Sequence, residues 1–305
     1  IPVVAKQHHP RATEAATKYF LTQAAASATI LFASSINAWA TGTWDITQMT
    51  NEPACTLLTL ALAMKLGLAP LHFWLPEVLQ GSTLTTAMII TTWQKLAPFT
   101  LMLLVHSSVN PFALLTLGVT STMLGGWAGM NQTQMRKIMA YSSIAHMGWM
   151  ASVLALSPNI MLLTLLIYIL MTAPMFMILL MNKSKTIQDL TTSWATSPVS
   201  TALTLTLLMS LGGLPPLTGF MPKWLILQEL TAHSLSMTAT ILVMSSLLSL
   251  FFYLRLSYTT TLTAFPNPTQ TSHKWRFQPK MKTTLITTTI ALSTLTLPMT
   301  PMLLT

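Results

Sequence analysis

Charged side chains are scarce in this chain of 305 residues: only 7% are Asp, Glu, Lys or Arg, whereas 52% are apolar. A typical soluble domain has about a quarter charged residues. The mean hydropathy is +0.59. Since a chain with so little charge cannot cover itself with a water-compatible surface, most of its area must face hydrocarbon. The composition therefore predicts an integral membrane protein.

Cysteine is almost absent as well, because Cys55 is the single example in the sequence. One thiol cannot form an internal disulfide, ligate an iron–sulfur cluster or build a thiolate zinc site. The sequence also has no Gly-rich phosphate loop after a strand. The net charge of +9 comes from basic residues too sparse to form a nucleic-acid-binding stripe. We therefore expect no redox centre, metal site or nucleic acid on this chain.

Apolar runs of about 20 residues, separated by polar or Pro/Gly-rich breaks, make up most of the sequence. Such runs are long enough to cross a bilayer as helices, whereas open strands would leave backbone groups unpaired in lipid. The predicted fold class is therefore an all-α membrane protein, a polytopic bundle of about nine transmembrane helices. The predicted segments are A (13–37), B (54–80), C (84–106), D (110–129), E (136–156), F (159–181), G (199–231), H (235–258) and I (284–303).

Basic residues collect on one side of the membrane if each segment crosses once. Twelve of the fifteen Lys and Arg side chains then share one side, here named side X, whereas side Y carries Asp45 and Glu52, with Glu229 near the end of G. Glu77, near the X end of B, can pair with a basic residue or anchor at the interface. The positive-inside rule predicts this asymmetry, with X as the cytoplasmic or matrix side, and one miscounted helix would scramble it. The basic residues of side X are Lys6, Arg11, Lys18, Arg136, Lys137, Lys183, Lys185, Arg255, Lys274, Arg276, Lys280 and Lys282.

Three lysines remain without a loop: Lys65 and Lys95, near the middles of B and C, and Lys223 in the second half of G. A lysine at mid-bilayer costs about 2.5–3.5 kcal/mol on insertion scales. Snorkelling to the interface explains Lys18 and Arg255. It works poorly for Lys65 and Lys95, which lie about ten residues, or ~15 Å of helix, from either end. Burial penalises the charged form of a lysine, so three such groups joined by water predict a proton relay.

His146 lies midway along E, and Ser142 and Ser143 precede it on the same helix face. This polar strip in an apolar helix leaves two interpretations open: a relay group or a hydrogen-bonded packing residue. A haem would need a second suitably placed histidine, and neither His72, at the break in B, nor His106, at a helix end, fits that role.

Two Gly/Pro-rich stretches, 67–77 and 213–223, match in register at a constant offset of 146 residues. Each interrupts a run too long for a simple crossing, and broken helices at membrane depth are tolerated only against protein or a water-filled cavity. Because B and G are five crossings apart, the copies run in opposite directions, as in transporter ion pathways. We therefore divide the single domain, 1–305, into a first half (54–181) and a partial second half (199–303). A chance match of two turns is the alternative.

Several stretches of the sequence resemble the NADH dehydrogenase subunit 2 family of mitochondrial complex I, in its vertebrate form. The most specific are Asn-Gln-Thr-Gln-Met-Arg-Lys-Ile-Met-Ala-Tyr-Ser-Ser-Ile-Ala-His-Met-Gly at 131–148 and the Gly/Pro-rich stretches extended to 65–78 and 211–224. The segments 10–16 and 18–23 match as well, so the resemblance runs over essentially the whole chain.

The resemblance implies a proton-translocating, antiporter-like subunit of the mitochondrial inner membrane, coupled to quinone reduction elsewhere in the complex. The family's membrane lysines fall on Lys65, Lys95 and Lys223, and its axial histidine falls on His146. The parent complex would use NADH, FMN, iron–sulfur clusters and ubiquinone, with none of them held by this chain. The expected partners are other membrane-arm subunits and inner-membrane lipids, including anionic lipid at side X, without nucleic acid or a small-molecule substrate.

One family feature has no counterpart here, namely an intramembrane glutamate on an earlier helix. We therefore expect that the family's first helices are missing and that this chain alone lacks one end of the relay.

Two rival functions remain. A stand-alone cation/proton antiporter should have a cation site of intramembrane carboxylates, and no acid clearly lies at mid-membrane. An assembly scaffold would tolerate Lys65→Met or Lys95→Met without loss of coupled proton transport.

Overall fold

A computed structural model of the chain describes residues 2–5, 9–262 and 284–299. Within these ranges the secondary structure is helical and no β-strand occurs; two loops meet in one isolated antiparallel bridge, between Gln134 and Thr186. The predicted all-α fold is therefore confirmed. The polar stretch from 263 to 283 and Lys6 lie outside the described residues. So do four further basic residues of side X: Lys274, Arg276, Lys280 and Lys282.

Thirteen α-helices occur in the described part of the chain, and each predicted segment coincides with one or two of them. Five stretches there are long and apolar enough to cross a membrane: α1, the run from Leu84 to Val105, α6, α8 and α12. The helices are α1 (Pro10–Thr41), α2 (Glu52–Leu66), α3 (Trp74–Gly81), α4 (Leu84–Thr91), α5 (Leu96–Val105), α6 (Pro111–Met130), α7 (Met135–Leu154), α8 (Pro158–Met181), α9 (Ile187–Thr196), α10 (Pro198–Gly212), α11 (Phe220–Ala232), α12 (Ser236–Leu262) and α13 (Thr284–Leu295).

Local sequence explains several of the helix starts. Proline lies at the first or second position of α1, α2, α6, α8 and α10, where its missing N–H costs nothing. The side chains of Thr83 and Asn110 accept hydrogen bonds from the first free N–H groups of α4 and α6.

The two predicted broken helices are present, and they break at equivalent positions. Helices α2 and α10 are both 15 residues long, and their first and last residues correspond at the offset of 146. Each ends in a left-handed glycine, Gly67 with φ of 76° and Gly213 with φ of 79°. A hydrogen bond from Leu68 N to Ala63 O (2.9 Å) matches one from Leu214 N to Met209 O (3.3 Å). The matched pairs of half-helices support the repeat, while the extent of its two halves stays a prediction.

Segment C is broken too. A short 3₁₀ helix, Trp93–Lys95, separates α4 from α5, so the interruption lies at Lys95. Pro98 is the third residue of α5, where its ring does not disturb the preceding turn of that helix.

Contacts at one end of the bundle join the loops assigned to side X. Lys18 binds Glu77 at 2.5 Å, so of the two alternatives for Glu77 the structure contains the pairing with a basic residue. Arg136 donates to the carbonyl of Ser82, and Met135 N donates to Lys185 O at 3.0 Å. These loops follow B, D and F, and their proximity agrees with the alternation that the charge pattern predicted.

Helices α6 and α7 pack at very short range through glycine. A Cβ added at Gly148 would lie 2.7 Å from the carbonyl oxygen of Gly118, and one added at Gly125 would lie 2.8 Å from the backbone nitrogen of Ala145. Small residues allow close approach of membrane helices. This contact fixes α7, and with it His146, against the bundle.

Helix α9 lies between segments F and G, where the apolar runs of the sequence predict no helix. Its start is held by a capping box, in which Thr186 Oγ1 accepts from Asp189 N at 3.3 Å and Asp189 Oδ2 accepts from Thr186 N at 2.9 Å. Lys185 N also donates to Asp189 Oδ2, at 2.8 Å. The hydrogen bonds from the backbone of Lys185 and from Thr186 hold the pKa of Asp189 below its usual value.

Candidate functional site

Lys95 is buried in the interior of the bundle, with only 4% of its surface exposed. The 3₁₀ turn places it between α4 and α5, where its Nζ lies 3.5 Å from the hydroxyl of Tyr168 and 5.2 Å from the centre of that ring. No carboxylate pairs with it among the described residues. The cation is therefore held by a neutral hydroxyl and an aromatic face, both on α8.

His146 contacts the same tyrosine. Its ring centre is 5.6 Å from that of Tyr168, and the two rings are tilted by 48°. Lys95 and Lys223 both lie close enough to His146 for their charges to act on its ring. Among the described residues no protein atom forms a hydrogen bond with the histidine, and both interpretations stay open. The role of His146 as a relay group stays a prediction.

Lys223 lies in the first turn of α11 and reaches back across the break in segment G. Its Nζ donates to the carbonyl oxygen of Gly212 at 2.9 Å. That carbonyl belongs to the end of α10, where the last turn leaves backbone oxygens without helical partners and the helix dipole is negative. The half-buried lysine therefore caps the first half of its own broken helix.

The corresponding cap in segment B is not a lysine. Trp74 Nε1 donates to Met64 O at 3.0 Å and so closes the end of α2 across the break. Lys65, in the last turn of α2, is half-buried, and within the described residues it makes no hydrogen bond or ion pair. The structure therefore brings Lys95, His146 and Lys223 together, while no direct contact joins Lys65 to them.

All six acidic residues lie in the described ranges, and they occupy the ends of the bundle. Glu14 and Glu77 bind Lys18 in a cleft of about 280 Å³ at side X, which Arg11 and Lys137 also line. The other four lie near loops or helix ends, and none of the six is buried. The described chain therefore lacks the intramembrane carboxylates that a cation site would need.

Sequence reasoning missed Tyr168, the residue that touches two of the candidate site residues. It is 2% exposed, and its hydroxyl donates to Thr91 O at 3.2 Å. Tyr168 lies near the middle of segment F (159–181). That position was the available signal, because a hydroxyl in an apolar helix needs a partner there.

Comparison with known proteins agrees with this architecture. The family described as "NADH:quinone oxidoreductase/Mrp antiporter, TM" matches residues 3–249, and "NADH dehydrogenase subunit 2 C-terminus" matches residues 250–304. The chain is 59% identical to NADH-ubiquinone oxidoreductase chain 2 of Tetraodon nigroviridis over 305 residues, covering 100% of this chain and 87% of that protein. The corresponding protein of Xenopus laevis is 55% identical, with coverage of 100% and 88%.

The chain is also similar to a protein of known structure. A chain of respiratory complex I from Thermus thermophilus superposes with a TM-score of 0.80 at 29% identity, covering 96% of this chain and 70% of that one. The fold, the paired breaks and the matched families agree along the whole sequence. The chain therefore belongs to the antiporter-like membrane subunits of NADH:quinone oxidoreductase and, among them, to the NADH dehydrogenase subunit 2 family.

Proposed function

We propose that this chain translocates protons along its interior through Lys65, Lys95, His146 and Lys223. As a member of its family it is a multi-pass, proton-translocating subunit of the membrane arm of respiratory NADH:ubiquinone oxidoreductase, in the mitochondrial inner membrane. NADH, FMN, the iron–sulfur clusters and ubiquinone belong to the parent complex, and this chain holds none of them. Its partners are the neighbouring membrane-arm subunits and inner-membrane lipids, and it binds no small-molecule substrate.

The burial of Lys95 without a carboxylate is the observation that carries this proposal. A charged group inside a membrane protein is expensive, and groups kept there usually lie on an ion or proton pathway. Burial without a counter-charge disfavours the charged form of a lysine, which is why such a group can exchange protons. An arginine at this position would keep its charge and could not take part.

We place the four groups in one order. Lys65, beside the break of segment B, is the loading station. Lys95 and His146, which contact the same aromatic ring, pass the proton through the interior by way of water, and Lys223, at the break of segment G, is the far station.

The test compares two identical substitutions in the assembled complex. Lys95→Met removes the buried ammonium but keeps a side chain of similar length, whereas Lys185→Met removes an exposed lysine of side X. We expect Lys95→Met to lower coupled proton transfer about 10²-fold or more, the scale of a lost acid–base group, and Lys185→Met to leave it unchanged. The measurement is protons moved per NADH oxidised in proteoliposomes.

Unchanged proton transfer in an assembled Lys95→Met complex would contradict the relay and favour a function as an assembly scaffold. The antiporter alternative predicts instead that a Na⁺ or K⁺ gradient drives proton movement through the chain. The end positions of all six acidic residues argue against it.

A further inference from the structure

Tyr168 contacts both Lys95 and His146. Its hydroxyl accepts a hydrogen bond from Lys95 Nζ at 3.5 Å, and its ring lies 5.2 Å from that nitrogen and 5.6 Å from the His146 ring centre. The tyrosine is 2% exposed, so water at the surface does not compete for these contacts. Packing alone would not require a hydroxyl here, because a phenylalanine has nearly the same shape.

We infer that Tyr168 is a positioning residue of the proton relay, which holds the Lys95 ammonium beside His146 and keeps it hydrogen-bonded in both of its protonation states. This inference rests on the function proposed above and adds a residue that the lysine pattern does not contain.

The hydroxyl can serve both states because it has a donor and an acceptor. With Lys95 charged, the tyrosine oxygen accepts from Nζ, while its own O–H donates to the carbonyl of Thr91 at 3.2 Å. With Lys95 neutral, the amine nitrogen becomes an acceptor, and the O–H can turn from Thr91 to Nζ. The tyrosine O–H bond is never broken: the proton that leaves Lys95 moves toward His146, and Tyr168 only changes its partner.

The charged state gains more from this arrangement than the neutral state does. The ammonium has the hydroxyl oxygen and the ring face together, whereas the neutral amine receives the O–H only when Thr91 O loses it. Two titratable groups face Lys95 within the described part of the chain, Tyr168 from α8 and His146 from α7. The charge of Lys223, on α11, also acts on His146.

The experiment uses the assembled complex with Tyr168→Phe, which keeps the ring and removes the hydroxyl. We expect coupled turnover to fall about tenfold and the alkaline limb of its pH profile to move to lower pH, because the ammonium loses its oxygen partner. The matched control is Tyr253→Phe. Tyr253 is 1% exposed, lies on α12, and its hydroxyl bonds to none of the four candidate residues. We expect it to leave the pH profile in place.

The outcomes separate this inference from the function on which it rests. If Lys95→Met stops proton transfer while Tyr168→Phe matches the unmodified complex in rate and pH profile, the positioning role is wrong and the relay stands. If Lys95→Met also has no effect, the relay itself fails. A Tyr168→Phe complex that assembles less but keeps the same pH profile per assembled unit would show that the tyrosine is structural, and would overturn the inference.

Discussion

The three membrane lysines share a residue type but not an environment. Lys95 is buried against a tyrosine, Lys223 caps a helix end, and Lys65 is half-buried without a protein partner in the described chain. Subtraction of the loop residues found all three, because a charge in an apolar run is visible in the sequence. What holds each ammonium was not predictable, since a backbone carbonyl leaves no mark on the sequence and Tyr168 is 73 residues from Lys95.

Lys223 has two separable roles, a cap for α10 and a relay station, and two substitutions distinguish them. Lys223→Met removes both, so we expect a less heat-stable complex and no proton transfer. Lys223→Arg keeps a donor for Gly212 O but stays charged at all accessible pH, so we expect near-normal stability without proton transfer. Thermal denaturation and proton counting on the same preparations measure the two roles. Normal pumping by the arginine variant would exclude deprotonation of this residue.

Among the helices, the contact between α6 and α7 depends on glycine. A Cβ at Gly148 would meet the Gly118 carbonyl at 2.7 Å and the Ser121 hydroxyl at still shorter range. We expect Gly148→Ala to push the helices apart and to destabilise the fold by about 1–3 kcal/mol, the usual range for overpacking. Because α7 also carries His146, coupled turnover should fall with it.

The control for this substitution is Gly212→Ala, where an added Cβ would come no closer than 3.2 Å, to the flexible end of Leu250. For both variants, the measurement is the amount of assembled complex per membrane protein, followed on native gels with increasing temperature. Equal stability of the two variants would mean that α6 and α7 can move apart without a loss of stability.

The positions of the breaks could be predicted from the sequence, whereas some neighbouring elements could not. Gly67 and Gly213 mark left-handed turns that other residues adopt at a cost, so the repeat was visible in residue type alone. Helix α9 was missed although Thr186 and Asp189 have the spacing of a capping box, because its ten residues are too few and too polar to register as a crossing.

At the scale of the whole molecule, the two ends of the helix bundle face different compartments, with side X predicted to face the matrix. Lys18 contacts Glu77, and Arg136 contacts Ser82. These contacts place the start of segment A and the loops after segments B and D at one end of the bundle, where the positive charge lies. In a Cys55→Ala background, we expect Lys185→Cys to react with a membrane-impermeant maleimide from the matrix side only. Thr43→Cys, in the exposed loop after α1, should react from the opposite side only.

Labelling of inverted membrane vesicles and of mitochondria stripped of their outer membrane measures this arrangement. Reaction of both cysteines from the same side would mean that the number of crossings between them is even, and the alternation of loops would be wrong. Charge asymmetry can predict sidedness from the sequence because it sums over many residues, whereas the packing of individual side chains depends on contacts between distant segments.

The two breaks differ in what closes them, an indole at Met64 O and an ammonium at Gly212 O. An indole is neutral, so an electric potential across the bilayer exerts no net force on the first closure. The second contains an elementary charge, for which crossing the full membrane is worth about 2.3 kcal/mol per 100 mV. A membrane potential therefore exerts a force on the cap of the second half whenever Lys223 is protonated, and no net force on the indole cap of the first half.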